Sequence, residues 1–298
     1  METYRKMTQN VLLLLVMFVS GIMPTLEGMT PEKFNDVVAT SPNPFQYDLH
    51  LTMLSGAKQE AEVCICMHGM GSDYGLSKVM RSNPALPYHI VAFNFPDYGH
   101  TGERLLKTTF GTIDELLPAL YVWKRCVVDG GADKVHLYGF SAGGGAIING
   151  LAVLNSSGYD TILNRIGINA LHKQQILKAV QKGSVILEVP LKSFDEIADQ
   201  GGGWEMRALA QRARENGMTP IQNLTQLHGL ALNCFVYFTH PDEAIGNRDD
   251  TEFIRRLHAV NSNGQTIPIM AQTGGHTSYH PELWEAYQKF VERHGLGG

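Results

Sequence analysis

The chain has 298 residues, of which 44% are hydrophobic and 18% charged, a composition that excludes a disordered or repetitive protein and suffices for one large α/β domain. The formal net charge of -5, with no run of Lys and Arg interleaved with aromatics, argues against a nucleic-acid partner. Four cysteines are too few for a disulfide framework at this length, and no His or Cys set has metal-ligand spacing, so neither a metal nor another cofactor is expected.

The N-terminus differs from the rest. Arg5 and Lys6 precede the apolar run 11–19, which Ser20, Gly21 and Pro24 interrupt. A basic start followed by a run too short for a spanning helix, which needs about 20 residues, reads as a secretory signal within residues 1–28 and hence a secreted or periplasmic protein. A retained membrane anchor is the alternative, and membrane contact is expected through this segment only. Residues 29–298 then make up the α/β domain.

Residues 47–54 alternate as an early strand does, and residues 62–67 form a short buried strand that ends in His68-Gly69-Met70-Gly71. Cys64 and Cys66 face one side of it, a poor geometry for bridging each other. All the cysteines read as small buried hydrophobes, although a bridge from either to Cys234 stays open if their strands are neighbours. Residues 90–95 are the next strand, followed by the loop 96–102. A helix is expected over 112–128, kinked or started late by Pro118 and closed by Gly130 and Gly131.

Lys134 to Phe140 then reads as a central strand running into Ser141, with a helix from about Ala146 onward. Partial helix is expected over 155–181 and a strand over 184–190. Residues 192–228 are polar and mostly helical, with a glycine hinge at 201–203 and a short helix over 208–213. They are expected to form a cap, with Trp204 and Met206 exposed and Leu209 beside them. Further strands are expected over 231–238 and 266–270, and helices over 250–257 and 282–292. The aromatic stripe of the last helix is expected in the core.

Between the central strand and its helix, Gly139-Phe140-Ser141-Ala142-Gly143 matches G-x-S-x-G. So sharp a turn strains the serine backbone and requires small residues on either side of it. It leaves the hydroxyl beside helix-start N–H groups. A nucleophilic serine also needs a base and a carboxylate to orient that base. The first acid after the 231–238 strand is Asp242, with Glu243, Asp249, Asp250 and Asp195 as rivals. The first histidine after the final strand is His276, which follows Gly274-Gly275, with His280 as rival.

Serine, acid and histidine in this order, each after a strand, together with His-Gly-x-Gly after an earlier one, resemble the α/β-hydrolase superfamily over about residues 45–295. The loop 96–102 departs from the glycine pattern of many members. The resemblance implies a mostly parallel sheet flanked by helices with a helical cap, Ser141 as nucleophile, His276 as general base and acid, and Asp242 as the orienting carboxylate. The N–H groups of Met70, or of Gly71, and of Ala142 would form the oxyanion hole. Trp204, Met206 and Leu209 would line an apolar acyl pocket. Carboxylic ester hydrolysis on a small-molecule substrate is the expected activity. A peptidase or amidase, or a noncatalytic binding protein on the same scaffold, is the alternative.

Overall fold

The computed structural model describes residues 52–54, 62–70, 89–95, 111–245, 250–272, 275–276 and 280–294. The segment 1–28, the loop 96–102, Gly71, Asp249 and Gly274 lie outside the described residues. Seven strands, β1 (Thr52–Leu54), β2 (Glu62–Met67), β3 (His89–Phe93), β4 (Lys134–Phe140), β5 (Val185–Glu188), β6 (Asn233–Thr239) and β7 (Gln265–Ala271), form one sheet in the order β1-β3-β2-β4-β5-β6-β7. Among the described strands, β1 alone runs antiparallel to its neighbour. From β3 to β7 the sheet is parallel, so every strand end there points the same way.

Side chains alternate across the strands, so one set of residues feeds both faces of the sheet. Val63, Ile65, Val135, Leu137, Val185, Leu187 and Val236 pack on one face beneath α1 (Ile113–Lys124), α2 (Ala142–Asn155) and α4 (Ala170–Lys182), with α3 (Asp160–Arg165) between the last two. Cys64, Cys66, Tyr138, Ile186, Phe235 and Tyr237 turn to the other face. There Leu283, Trp284, Tyr287, Phe290 and Val291 of α9 (Pro281–His294) cover them, so the aromatic stripe is core. Pro268 lies in β7, an edge strand, where a missing ladder donor is tolerated.

Several boundaries differ from expectation. The helix after the serine begins at Ala142 rather than Ala146, and Gly143, Gly144 and Gly145 are its first turn. Close approach of this helix to the sheet outweighs the poor helix propensity of glycine. Helix α1 runs unbroken through Pro118 and widens into a π turn over Arg125–Asp129. The Cys64 or Cys66 bridge to Cys234 does not form: β4 and β5 separate β2 from β6, and all four cysteines are free and buried.

In the expected cap, α5 (Phe194–Asp199) packs against α6 (Gly203–Glu215), and Gly201 and Gly203 take positive φ in the turn between them. Helix α6 is longer than expected, and Met206 is buried rather than exposed. Met206, Leu209, Ala210 and Ala213 recur at helical spacing on its inner face, a stripe that the intervening charged residues obscure in the sequence. The rest of the segment, α7 (Pro220–Asn223) and the 3₁₀ turn Leu224–Leu227, packs on α2, and Leu224 and Leu227 join the main core. Helix α8 (Asp250–Val260) follows β6. Among the described residues, no helix is long and apolar enough to cross a membrane.

Candidate active site

The site forms where β4, β6 and β7 end. Ser141 sits between β4 and α2 with φ 52° and ψ -118°, a conformation that a non-glycine residue adopts only when its surroundings impose it. The flanking glycines are a steric requirement. A Cβ at Gly139 would lie 2.6 Å from the Gly144 nitrogen, and one at Gly143 would lie 2.1 Å from the Met67 carbonyl oxygen. Neither neighbour is a side chain that can swing away, so the elbow tolerates no larger residue at either position.

His276 reaches Ser141 from the loop after β7. Its Nε2 lies 2.9 Å from Ser141 Oγ, and its Nδ1 lies 2.9 Å from Asp242 Oδ2. Since an ionised carboxylate only accepts, Nδ1 carries the proton and Nε2 is left to accept from the serine hydroxyl. The other oxygen of Asp242 accepts the N–H groups of Ala244 and Ile245 at 3.0 and 2.9 Å. Burial pushes the Asp242 carboxyl up, but the bonds from His276, Ile245 and Ala244 outweigh it and hold the group below its ordinary value. Asp242 therefore stays ionised. The Phe140 ring packs against the imidazole with centroids 5.3 Å apart.

The described rivals are engaged elsewhere. Glu243 accepts the backbone N–H of His276 at 3.0 and 3.1 Å, a contact that Gly275 permits because a Cβ there would lie 2.7 Å from the carboxylate. Asp250 is ion-paired with the fully buried Lys192, which also reaches Glu196 at 2.9 Å. Asp195 pairs with Arg214 on the surface of α5 and α6. His280, directly before α9, binds Glu188 Oε1 at 2.7 Å and the Gly275 carbonyl at 3.1 Å.

His68, at the end of β2, is a structural tie. Its Nε2 accepts the Phe95 N–H at 3.1 Å, so Nδ1 must carry the proton donated to the Gly69 carbonyl at 2.8 Å. Ala142, as the first residue of α2, has an N–H with no acceptor one turn back in the helix. Met70 packs on the same apolar cluster as Ala142, together with Leu191, Phe194, Ile245, Met206 and Leu209. Of the three residues expected to line a pocket, Met206 and Leu209 thus lie in the cluster that reaches the elbow, whereas Trp204 is 73% exposed. Among the described residues, no three His, Cys, Asp or Glu side chains converge as metal ligands.

The sequence carries no local sign of what Tyr138 and Glu243 bind; for Glu188 the signal is an acid that closes the buried run of β5.

No protein-family model and no curated protein sequence matches the chain. Among solved structures it is similar to the carboxylesterase Cest-2923 from Lactobacillus plantarum WCFS1, with a TM-score of 0.60 and 14% identity over 86% of this chain and 97% of that one. Esterase B from Lactobacillus rhamnosis gives 0.55 and 15% over 88% and 91% of the two chains. Est1E from Butyrivibrio proteoclasticus, whose structure holds ferulic acid, gives 0.53 and 14% over 82% and 94%. With the parallel sheet and the strand-end site, these likenesses establish that the chain has the α/β-hydrolase fold.

Proposed function

We propose that the protein is a serine hydrolase that cleaves a carboxylic ester of a small molecule through an acyl-enzyme on Ser141. The observation that carries this reading is the continuous chain of hydrogen bonds from Ser141 Oγ through His276 to Asp242, ending on a strained elbow at a helix start. Ser141 Oγ attacks the ester carbonyl carbon while His276 Nε2 takes its proton. Asp242 holds the ring in the tautomer that can accept it. The developing oxyanion meets the N–H of Ala142 and that of Met70 or Gly71; one such donor contributes about 3 kcal/mol to the transition state. His276 then protonates the departing alcohol. Water then attacks the acyl carbon while giving a proton to the same nitrogen, and that proton passes to Ser141 Oγ as the acid departs.

Residues 194–215 act as a cap in this reading. Their apolar cluster, in which Met206 and Leu209 join Ala142, offers the acyl group a wall, and Trp204 stands at the outer rim. An ester is preferred over a peptide because two acidic residues of this segment, Glu196 and Asp195, are already engaged by Lys192 and Arg214, so that a peptide amine would need Asp199 or Glu205. Residues 1–28 serve as an export signal or anchor, so the enzyme acts outside the cytoplasm.

The test is labelling of the purified protein with a fluorophosphonate, followed by p-nitrophenyl esters of increasing chain length and matched anilides. Labelling and ester turnover that vanish in Ser141→Ala and collapse in His276→Ala are the expected result. A folded protein that neither labels nor turns over any ester overturns the reading.

A further inference from the structure

We infer that His280 is a positioning residue for the proposed base: held between the Glu188 carboxylate and the Gly275 carbonyl, it fixes the peptide that aims His276 at Ser141. The inference rests on the serine-hydrolase reading.

Both ring nitrogens of His280 face acceptors. Nε2 lies 3.1 Å from the Gly275 carbonyl, which can only accept, and Nδ1 lies 2.7 Å from Glu188 Oε1. The other oxygen of Glu188 accepts the Tyr138 hydroxyl in a very short contact. With Glu188 as a carboxylate, the two acceptors call for two N–H donors, which the imidazolium form of the ring supplies. The groups facing it agree. Burial alone would lower its pKa, but Glu188, the Gly275 carbonyl and Glu282 of α9 raise it above the ordinary histidine value. Tyr138 stays a donor, because burial and Glu188 push its hydroxyl far up. The Tyr237 ring closes the remaining side, with centroids 4.5 Å apart.

The Gly275 carbonyl and the His276 N–H belong to one peptide plane. His280 binds the first and the Glu243 carboxylate binds the second, at 3.0 and 3.1 Å. A plane gripped at both edges cannot turn, and its orientation sets the direction in which His276 leaves the backbone. Glu188 gives the same clamp a reference to the nucleophile, since its own carbonyl accepts the Ser141 N–H at 3.0 Å. The next residue, Val189, is β-branched, buried and at φ 41°, an outlier that persists only where the surroundings over-determine it. One residue thus ties the nucleophile's backbone to the base's loop. Because a misplacement of about 1 Å at a reacting group costs on the order of 100-fold in rate, such a tie matters to turnover beyond its contribution to stability.

The test compares His280→Gln with His280→Asn. Both remove the imidazolium, but the Gln amide reaches about as far as Nε2, toward Gly275, and the Asn amide only about as far as Nδ1, toward Glu188. With p-nitrophenyl butyrate, His280→Asn is expected to lose about 10- to 100-fold in kcat at nearly unchanged KM. His280→Gln recovers most of that loss, although both variants melt at similarly lowered temperatures. Equal kcat in the two variants, or a loss that falls on KM, overturns the inference while leaving the function intact. Wild-type protein without turnover that depends on Ser141 overturns the function and this inference with it. Should neither variant fold, the isosteric Glu188→Gln takes their place: a kcat loss at constant KM supports the clamp, and wild-type kcat refutes it.

Discussion

The molecule contains a second serine, histidine and carboxylate joined as closely as the first. Below the sheet, Ser184 Oγ lies 2.7 Å from His136 Nδ1, and His136 Nε2 lies 2.7 Å from Glu62. At the upper edge the corresponding distances for Ser141, His276 and Asp242 are 2.9 and 2.9 Å. Residue types and hydrogen bonds therefore do not separate the two sets; their surroundings do. Glu62 opens β2, His136 lies early in β4 and Ser184 precedes β5, which places them at the starts of the strands, away from the crevice where ligands bind parallel sheets. Tyr287 of α9 closes over them, 3.0 Å from Ser184 and 3.1 Å from His136. Ser184 has no elbow, no helix start beside it and no exposure at all. The lower set is a satisfied polar cluster; the upper one combines the same residue types with a strained serine and helix-start N–H groups.

Substitution of the two serines sharpens this contrast most. Ser141→Ala should reduce ester turnover at least about 1,000-fold, whereas Ser184→Ala should leave kcat within about 3-fold. Turnover that survives the first and fails with the second would invert the assignment. The carboxylates come next. Asp242→Asn should cost on the order of 100- to 10,000-fold in kcat by supporting the wrong tautomer of His276, while Glu62→Gln should leave turnover near wild type. The lower set should instead report in stability. Ser184→Ala removes one hydrogen-bond partner each from His136 Nδ1 and the Tyr287 hydroxyl, which keep each other at 3.1 Å, and should cost about 1 kcal/mol in urea unfolding.

The lower set also makes a pH prediction. Burial holds the His136 pKa below its ordinary value of 6.5, despite the opposing pull of Glu62. The folded state therefore binds a proton less readily than the unfolded chain, and stability is lost as pH falls below about 6.5 toward the folded-state value. Relative to His136→Gln, the wild type should lose more unfolding free energy between pH 7 and 5; parallel curves would rule out a buried neutral histidine. The smallest effect is expected at Trp204. Because Trp204 is exposed on α6, Trp204→Ala should change stability by less than about 0.5 kcal/mol, and any effect should appear as a shift in preferred acyl length across the p-nitrophenyl series.

Much of the architecture was legible because its causes are local. Apolar runs bounded by glycine and polar residues marked β2, β4 and β6, and helical spacing marked α9 with its core stripe. Where local rules failed, a tertiary demand had overridden them. The helix after Ser141 is expected from about Ala146 but starts at Ala142, because Gly143 lets its first turn approach the Met67 carbonyl. Met206 reads as exposed because its neighbours Glu205 and Arg207 are charged, yet α6 turns it inward into the apolar cluster that includes Ala142.

The sequence alone determined that a strained serine would stand between a strand and a helix, since the G-x-S-x-G glycines admit that turn through sterics within a few residues. It also determined that acids and histidines would arrive at the same sheet edge, since parallel strands all end there. Only the tertiary structure decided which acid does what. Asp242 and Glu243 are adjacent in the chain, yet one binds the His276 ring and the other its backbone N–H, while Asp250 is taken by Lys192. Likewise, Glu188 meets His280 across 92 residues. Hydrogen bonds depend on tenths of an ångström and on direction, and those are set by how distant elements pack, which no local pattern records.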